Sequence, residues 1–370
     1  MNILFVDQFP TIGGGQRSML ELLPLVRRRG WKAVVALPRD GALADRVRES
    51  GVEVDWVPCG TYTAGSKTIA DFASYAREVL PMGNALSSLA AKHRIGLLYV
   101  SGPRLLPAAA WLSRRSSIPL VFHCHHRIRQ PLAAALAGES LRWARARIIA
   151  CCRFACEPLA PYARHCRVIY NGVAAPRWSR RGRDPMRPWK IGVIGRVEPE
   201  KGQMEFVAAA RIVAAEYGNC SFVIAGAPLF SGPEYMNQVR RASRGLPIQF
   251  PGWQEDIGPT FSQLDLLVVP STDFDSTPRV VIEAFAGGVP VLAFPAGGIP
   301  EILQDSRIGY LATRQTPEAL AARICSVLSR GLRQMREVSD RALTEWQERY
   351  TLERFQDEVE CAITESAVSA

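Results

Sequence analysis

Short apolar runs of four to seven residues alternate with amphipathic segments along almost the whole chain, in two successive series. No other feature restricts the fold as much. Buried strands separated by helical segments assemble as a parallel sheet covered by helices on its faces. In the first series the expected strands are Ile3–Val6, Ala33–Leu37, Val54–Val57, Leu97–Val100, Leu120–Phe122, Ile148–Ala150 and Val168–Tyr170. Helices such as Gly15–Arg28, Leu43–Glu49 and Asp71–Lys92 fit between them. The segment Ala174–Pro188 is rich in Pro, Gly and Arg and reads as an exposed linker. Beyond it the alternation resumes with Ile191–Ile194, Phe222–Ala225, Ile248–Phe250, Leu266–Val269 and Val291–Phe294, and a charged amphipathic helix is expected from Thr344 to about Ser366. A chain of 370 residues exceeds one ordinary core. The expectation is therefore an α/β protein of two doubly wound, Rossmann-like parallel-sheet domains, residues 1–175 and 176–343, with residues 344–370 as a C-terminal helix crossing back to the first. Sheets of this kind take ligands beyond the carboxyl ends of their strands, so a cleft between the two sets of strand ends is the expected site.

The second half carries the most specific chemistry. In Asp275-Ser-Thr-Pro-Arg-Val-Val-Ile-Glu283, one carboxylate stands in a loop and a second on a short apolar helix that Pro278 helps to start. Two acids thus flank a helix N-terminus, where backbone N–H groups favour anions. That pattern suits a ligand with phosphates in the middle and hydroxyl-rich groups at its ends, such as a sugar nucleotide. Upstream, Ile191-Gly-Val-Ile-Gly-Arg-Val-Glu-Pro-Glu-Lys-Gly202 reads as a strand ending at Gly195, with Arg196 at its tip and Lys201 starting the next helix. A planar guanidinium and a mobile ammonium are a good pair for a diphosphate, and surface-exposed Arg and Lys are the bland alternative.

The first half offers two sites. Gly13-Gly14-Gly15-Gln-Arg17 follows the first strand and opens a helix, so its backbone can approach a phosphate closely, or it is only a flexible turn. It lacks the spacing of a dinucleotide fingerprint. Leu120-Val-Phe-His123-Cys-His125-His126 sits at a strand end. No helical His-x-x-x-His and no acidic cluster accompany it, which argues against a zinc hydrolase and leaves no assigned metal site.

Together these motifs resemble the retaining glycosyltransferases of family 4, proteins with the two-domain fold called GT-B. The acidic pair, the Arg196/Lys201 pair with Gly202, the glycine loop, Ile169-Tyr-Asn-Gly-Val173, Phe250-Pro-Gly-Trp253, Val269-Pro-Ser271 and Gly297-Gly-Ile-Pro-Glu301 occur in the family's order over about 300 residues. Two departures stand out: the first acid is Asp275 where the family has Glu, and Pro278 occupies the place of a common Gly. The resemblance implies a nucleotide-sugar donor and no bound metal or other cofactor. It implies that Glu283 holds the ribose, Asp275 the sugar hydroxyls, and Arg196 and Lys201 the diphosphate. Gly14, Gly15, Gly195, Thr277, Pro278, Arg279 and Val280 would line the donor site, with Trp253 on the nucleobase side. It also implies that His125, with His123 as fallback, contacts the transferred sugar, and that no enzymic nucleophile is needed. A GT-B sugar-nucleotide epimerase or phosphorylase, or a non-catalytic sugar-nucleotide-binding protein, are the alternatives.

Charge points to the acceptor. Residues 1–175 hold 23 Lys/Arg against 11 Asp/Glu, and the remainder holds 22 against 24, so positive charge belongs to the first half. Arg27–Arg29, Arg114, Arg115 and the segment Leu132–Arg147, with its Trp143, suit an anionic leaflet, a solvated helix face being the alternative. Nucleic acid is not expected, for want of interleaved aromatics and of a recognition motif. A glycan or lipid-linked acceptor in cell-surface polysaccharide or glycolipid synthesis is the expectation. Hydrophobic residues make up 48% of the chain and its mean hydropathy is near zero, as in soluble globular proteins. The least charged stretch, Val280–Ile299, contains Glu283, four Gly and two Pro, which argues against a membrane span. Asn2–Asp7 reads as a buried strand and not as a leader. Nine scattered cysteines suit reduced thiols in a cytoplasmic enzyme, peripheral to the membrane at most.

Overall fold

The structure, a computed structural model, describes residues 1–60, 69–162, 165–178, 186–229, 232–273 and 275–368, with backbone alone at residues 69, 70, 72 and 73. Residues 179–185 of the expected linker lie outside the described residues. The chain divides into two compact units, Met1–Asn171 with Glu353–Ala370, and Gly172–Leu352.

The first unit holds a seven-stranded parallel sheet: β1 (Asn2–Val6), β2 (Lys32–Leu37), β3 (Glu53–Trp56), β4 (Leu97–Val100), β5 (Leu120–Cys124), β6 (Arg147–Ala150) and β7 (His165–Val168). Their order is β3-β2-β1-β4-β5-β6-β7, so the winding reverses between β1 and β4. Ile3, Leu4, Phe5 and Val6 are all fully buried, because helices cover both faces of a central strand. That is why β1 reads as an unbroken apolar run.

The second unit repeats the plan with six parallel strands: β8 (Trp189–Ile194), β9 (Cys220–Ala225), β10 (Ile248–Gly252), β11 (Leu266–Val269), β12 (Val291–Ala293) and β13 (Tyr310–Leu311). The order β10-β9-β8-β11-β12-β13 puts its switch point between β8 and β11. Both sheets are doubly wound, as the alternation implies.

Several expectations need correction. The last strand of the first sheet is His165–Val168, not Val168–Tyr170, because an edge strand with exposed residues carries its apolar signal only at its exit. Strand β13, two residues long, is too short to show periodicity. The single tail helix is instead two, Gly331–Arg349 and Leu352–Val368. An extended step separates them: Val173 N donates to Tyr350 O (3.0 Å) and Leu352 N to Val173 O (3.1 Å). The unit boundaries accordingly fall at 171/172 and 352/353, not at 175/176 and 343/344. Trp346 Nε1 donates to Val173 O at 3.3 Å, and the Phe285 and Tyr350 rings lie 6.4 Å apart, which ties Gly331–Arg349 to the second unit.

Nor is the whole linker exposed. The Trp178 ring stacks on Phe261, with centroids 5.1 Å apart and planes within 5°. It fills space that Gly287 leaves open, where a Cβ would lie 1.8 Å from the indole. Helix Leu352–Val368 belongs to the first unit through Gln356 Nε2, which donates to Glu21 O (2.6 Å), and through Arg147–Glu365 (2.9 Å) and Arg29–Glu360 ion pairs. None of the nine cysteines forms a disulfide.

Candidate active site

At the switch point of the second sheet, three loops approach one another closely enough to require glycine. A Cβ on Gly202 would lie 1.8 Å from Pro270 O, and one on Gly226 1.8 Å from Gly195 O. Gly195, Gly202 and Gly226 all have positive φ (148°, 72° and 150°), which only glycine adopts without strain. The loops leaving β8, β9 and β11 are therefore locked together. Arg196 emerges beside Gly195, its carbonyl accepting from Gln203 Nε2 at 2.7 Å and its guanidinium 3.6 Å from Glu200. Lys201 does not start the long helix as expected. It ends a short 3₁₀ turn, Pro199–Lys201, and the left-handed Gly202 then redirects the chain into helix Gln203–Tyr217.

That turn delivers Lys201 to the acidic loop. Its Nζ lies 2.6 Å from Asp275 Oδ2, and Ser271 Oγ donates to the same oxygen at 2.8 Å. Burial alone would raise the Asp275 carboxyl, but the charge and hydrogen bond of Lys201, the Ser271 bond and the charge of Arg196 hold it below the ordinary range. Its backbone is strapped too. Gly298 N donates to Asp275 O at 2.9 Å, and Gly297 (φ 55°) passes so close that a Cβ would lie 2.3 Å from that oxygen. The Gly297-Gly298 turn thus braces the acidic loop from the strand-β12 side. Three residues on, Pro278 caps helix Arg279–Ala286 in an extended conformation (φ −65°, ψ 112°). Thr277 and Pro278 lie in the loop and Arg279 and Val280 in the first turn.

Glu283, in the second turn of that helix, is half-buried, and its carboxylate has no hydrogen bond or ion pair among the described residues. The two acids therefore differ in kind: Asp275 is held by a cation, and Glu283 is open to a hydroxyl-bearing ligand. Trp253 follows edge strand β10 and is 46% exposed. Arg196, Lys201, Asp275 and the start of the Glu283 helix all gather at the strand ends of this one sheet.

At the switch point of the first sheet, helix Gly14–Arg28 starts from an extended Gly13, whose N–H donates to Gln16 Oε1 at 3.0 Å. Gly14 is exposed, but Gly15 is buried against a side chain. A Cβ there would lie 2.9 Å from both Cδ2 and Cγ of His125. The third glycine of the loop therefore makes room for an imidazole. His125 follows the end of β5 and packs against His123, with ring centroids 3.8 Å apart and planes tilted by 37°. His123 is fully buried, its Nδ1 lies 2.6 Å from Tyr99 Oη, and burial drives its pKa down to about 3. It is a packed neutral residue beneath His125.

Asp7 was absent from the sequence-derived site. It ends β1 fully enclosed, accepting from Phe9 N (2.8 Å) and from Gln16 Nε2 (3.0 and 3.1 Å). Burial pushes its pKa up to about 6, against those hydrogen bonds. Asp7, Gln16 and Gly13 form a polar chain that shapes the glycine loop. An acid directly after a buried strand was the available signal. Ser271 and Gly297 enter the sequence reading only within family-like motifs, and Tyr99 only within a strand, none with an assigned partner. Gly297 and Tyr99 act through neighbours remote in sequence, whereas Ser271 reaches Asp275 four residues on. Among the described residues, Glu53, Asp55 and His93 could approach one ion, but Lys92 Nζ already sits 3.0 Å from Asp55.

Residues 12–177 match the family model described as Glycosyltransferase Family 4, and residues 188–330 the one described as Glycosyl transferases group 1. Spore coat protein SA of Bacillus subtilis is 27% identical over 187 residues, 44% of this chain and 49% of that protein. A D-inositol 3-phosphate glycosyltransferase of Geodermatophilus obscurus is 30% identical over 257 residues, 60% of this chain and 56% of that protein. The matches thus span about half the length of these curated relatives. HepE of Anabaena, solved in complex with UDP, superposes with a TM-score of 0.83 at 21% identity, covering 99% of this chain and 100% of that one. With both halves matched by the family's two models and with that fold, the chain belongs to the group 1 glycosyltransferases of family 4 and has the GT-B architecture.

Proposed function

We propose that this protein transfers a sugar from a nucleotide-sugar donor, with retention at the anomeric carbon, to a glycan or lipid-linked acceptor of cell-surface polysaccharide or glycolipid synthesis. The observation that carries the reading is the gathering of Asp275, Arg196 and Lys201 at the switch point of the second sheet, beside the start of the helix that carries Glu283, unpaired among the described residues. Glu283 would accept from the ribose hydroxyls. Asp275 would accept from the sugar hydroxyls as Lys201 turns to the diphosphate, and Arg196 and the amides at Pro278–Val280 would share the phosphate charge. These groups take the place of a metal ion in stabilising the leaving diphosphate. HepE has also been solved with UDP-glucose, which makes a uridine diphosphate sugar the first donor to try.

No enzymic nucleophile is assigned. Attack from the face of the departing phosphate, which takes the acceptor proton, accounts for retention without one. The first unit would bind the acceptor, with His125 as its sugar-contacting group and Gly14 and Gly15 shaping that wall. The work would be done in the cytoplasm, at the membrane face.

The experiment is thermal stabilisation against a panel of nucleotide sugars and nucleoside diphosphates, with and without EDTA. A ligand at 100 times its dissociation constant stabilises by about 2.7 kcal/mol. A selective shift, unchanged by EDTA and lost in Glu283→Ala, supports the donor site, and anomeric analysis of the product then tests retention. Absence of a shift with every nucleotide overturns the reading.

A further inference from the structure

Part of the first unit's positive charge is paired with the unit's own groups at the surface. Helix Leu352–Val368 sets Glu360 against Arg29, Glu365 against Arg147 (2.9 Å) and Gln356 against Arg28 (2.6 Å), while Arg27 donates to Ser50 O at 2.8 Å. The Arg27–Arg29 cluster, expected to face an anionic partner, is instead tied to the protein's own groups.

One group of outward arginines surrounds helix Pro131–Ala144. Its inner side, with Ala134, Ala137 and Leu141, is buried. Gly138 lets the Tyr162 ring in so closely that a Cβ would lie 2.2 Å from it, which fixes how the helix is turned. The outer side carries Leu132, Leu136 and Trp143, which are 62%, 39% and 52% exposed. At helical periodicity these three fall within about 40° of one another and form a stripe about 16 Å long. Arg129 precedes the helix, and Arg142 and Arg145 end it. The packed neighbouring helix Leu106–Ser116 runs in the same direction between parallel strands, so its Arg114 and Arg115 lie toward the same end. Arg114 and Arg145 have no side-chain partner among the described residues. Glu139, the one acid on the stripe, is held by Arg142 at 2.6 Å.

We infer that this face is a docking surface for an anionic lipid bilayer. Apolar side chains with a Trp and a cluster of arginines at one end match a helix lying at the headgroup level, the apolar groups entering the acyl boundary and the guanidiniums meeting lipid phosphates. A nucleic acid would use the arginines but leave Leu132 and Leu136 in water. Among the described residues no helix is long and apolar enough to cross a membrane, so the contact is peripheral. The inference deepens the acceptor part of the proposed function by naming the surface that meets lipid. Its test uses no donor, so its failure leaves the donor site standing.

The full chain is floated on a density gradient with phosphatidylcholine vesicles, with and without phosphatidylglycerol. The protein is expected to float with the anionic vesicles only and to be released in part by salt. Leu136→Glu/Trp143→Glu is expected to lower the bound fraction roughly tenfold or more, and Arg114→Glu/Arg145→Glu to lower it and weaken its salt dependence. All four side chains point outward, so the melting temperature should hold; if a double variant melts early, Leu132→Gln, at the most exposed position, replaces it. Protein left in the soluble fraction at low salt, equal binding to neutral vesicles, or variants that float like wild type would overturn the inference. So would a dimer that Leu136→Glu/Trp143→Glu converts to monomer, because the stripe would then cover a second copy.

Discussion

Lys201→Met tests the central ion pair of the candidate site. The side chains of Lys201 and Asp275 are only 22% and 13% exposed, and their atoms lie 2.6 Å apart. Breaking a fully buried pair costs about 3–5 kcal/mol, whereas an exposed pair contributes about 0–1 kcal/mol. This pair falls between, so removing the ammonium should cost about 2–3 kcal/mol near neutral pH. The pH dependence distinguishes this cause from lost packing. In the wild type the Asp275 carboxyl is held below its unfolded value, so its contribution is present above that value and fades as pH falls through the lower folded one. In the variant the leading influence, burial, is opposed only by Ser271 and Arg196, so the carboxyl moves up. Protonation then relieves the variant, and the gap between the two proteins should narrow as pH drops from 7 toward 4. Urea unfolding over that range, for Lys201→Met, Asp275→Asn and the double variant, measures it. A coupling below about 0.5 kcal/mol, or a gap independent of pH, would refute the argument.

Three further perturbations follow from the same geometry. Gly15→Ala drives a methyl into the His125 ring and should reduce transfer by roughly tenfold or more while costing about 1–2 kcal/mol of stability; unchanged turnover would remove the imidazole from the site. Asp7→Asn should stabilise the protein at pH 7 by roughly 2–3 kcal/mol and have little effect near pH 4. The folded pKa of about 6 exceeds the unfolded one, so the wild type loses stability as pH rises through that window, and matched melts at the two pH values check the sign. Trp178→Ala should cost about 2–3 kcal/mol and Gly287→Ala at least as much, both read from denaturant midpoints; a silent Gly287→Ala would mean that the indole does not occupy that space.

Local chemistry made much of this legible beforehand. Continuous apolar runs announce strands buried on both faces, and their alternation with helices dictates two parallel sheets. The strand-end residues Arg196, Lys201, Asp275 and Glu283 are readable because a doubly wound sheet presents ligands to the ends of its strands. The edge strand His165–Val168 and the two-residue β13 were not readable, since edge burial is one-sided and two residues carry no period. The break at Tyr350 was hidden for another reason: its cause is pairing with Val173, far away in sequence.

The sequence by itself determined the α/β class, the two-sheet plan and the kinds of charged group at the candidate site, because these follow from periodicity and from residue type at strand ends. Tertiary structure alone decided which charges are spent. It sets Lys201 and Ser271 on Asp275 and leaves Glu283 open. It pairs Arg28, Arg29 and Arg147 with the tail helix while Arg114 and Arg145 have no side-chain partner among the described residues, and it packs Gly15 under His125. The physical reason is common to all of these. Electrostatic and steric partners act over a few ångströms, and only the fold brings groups separated by tens or hundreds of residues within that range.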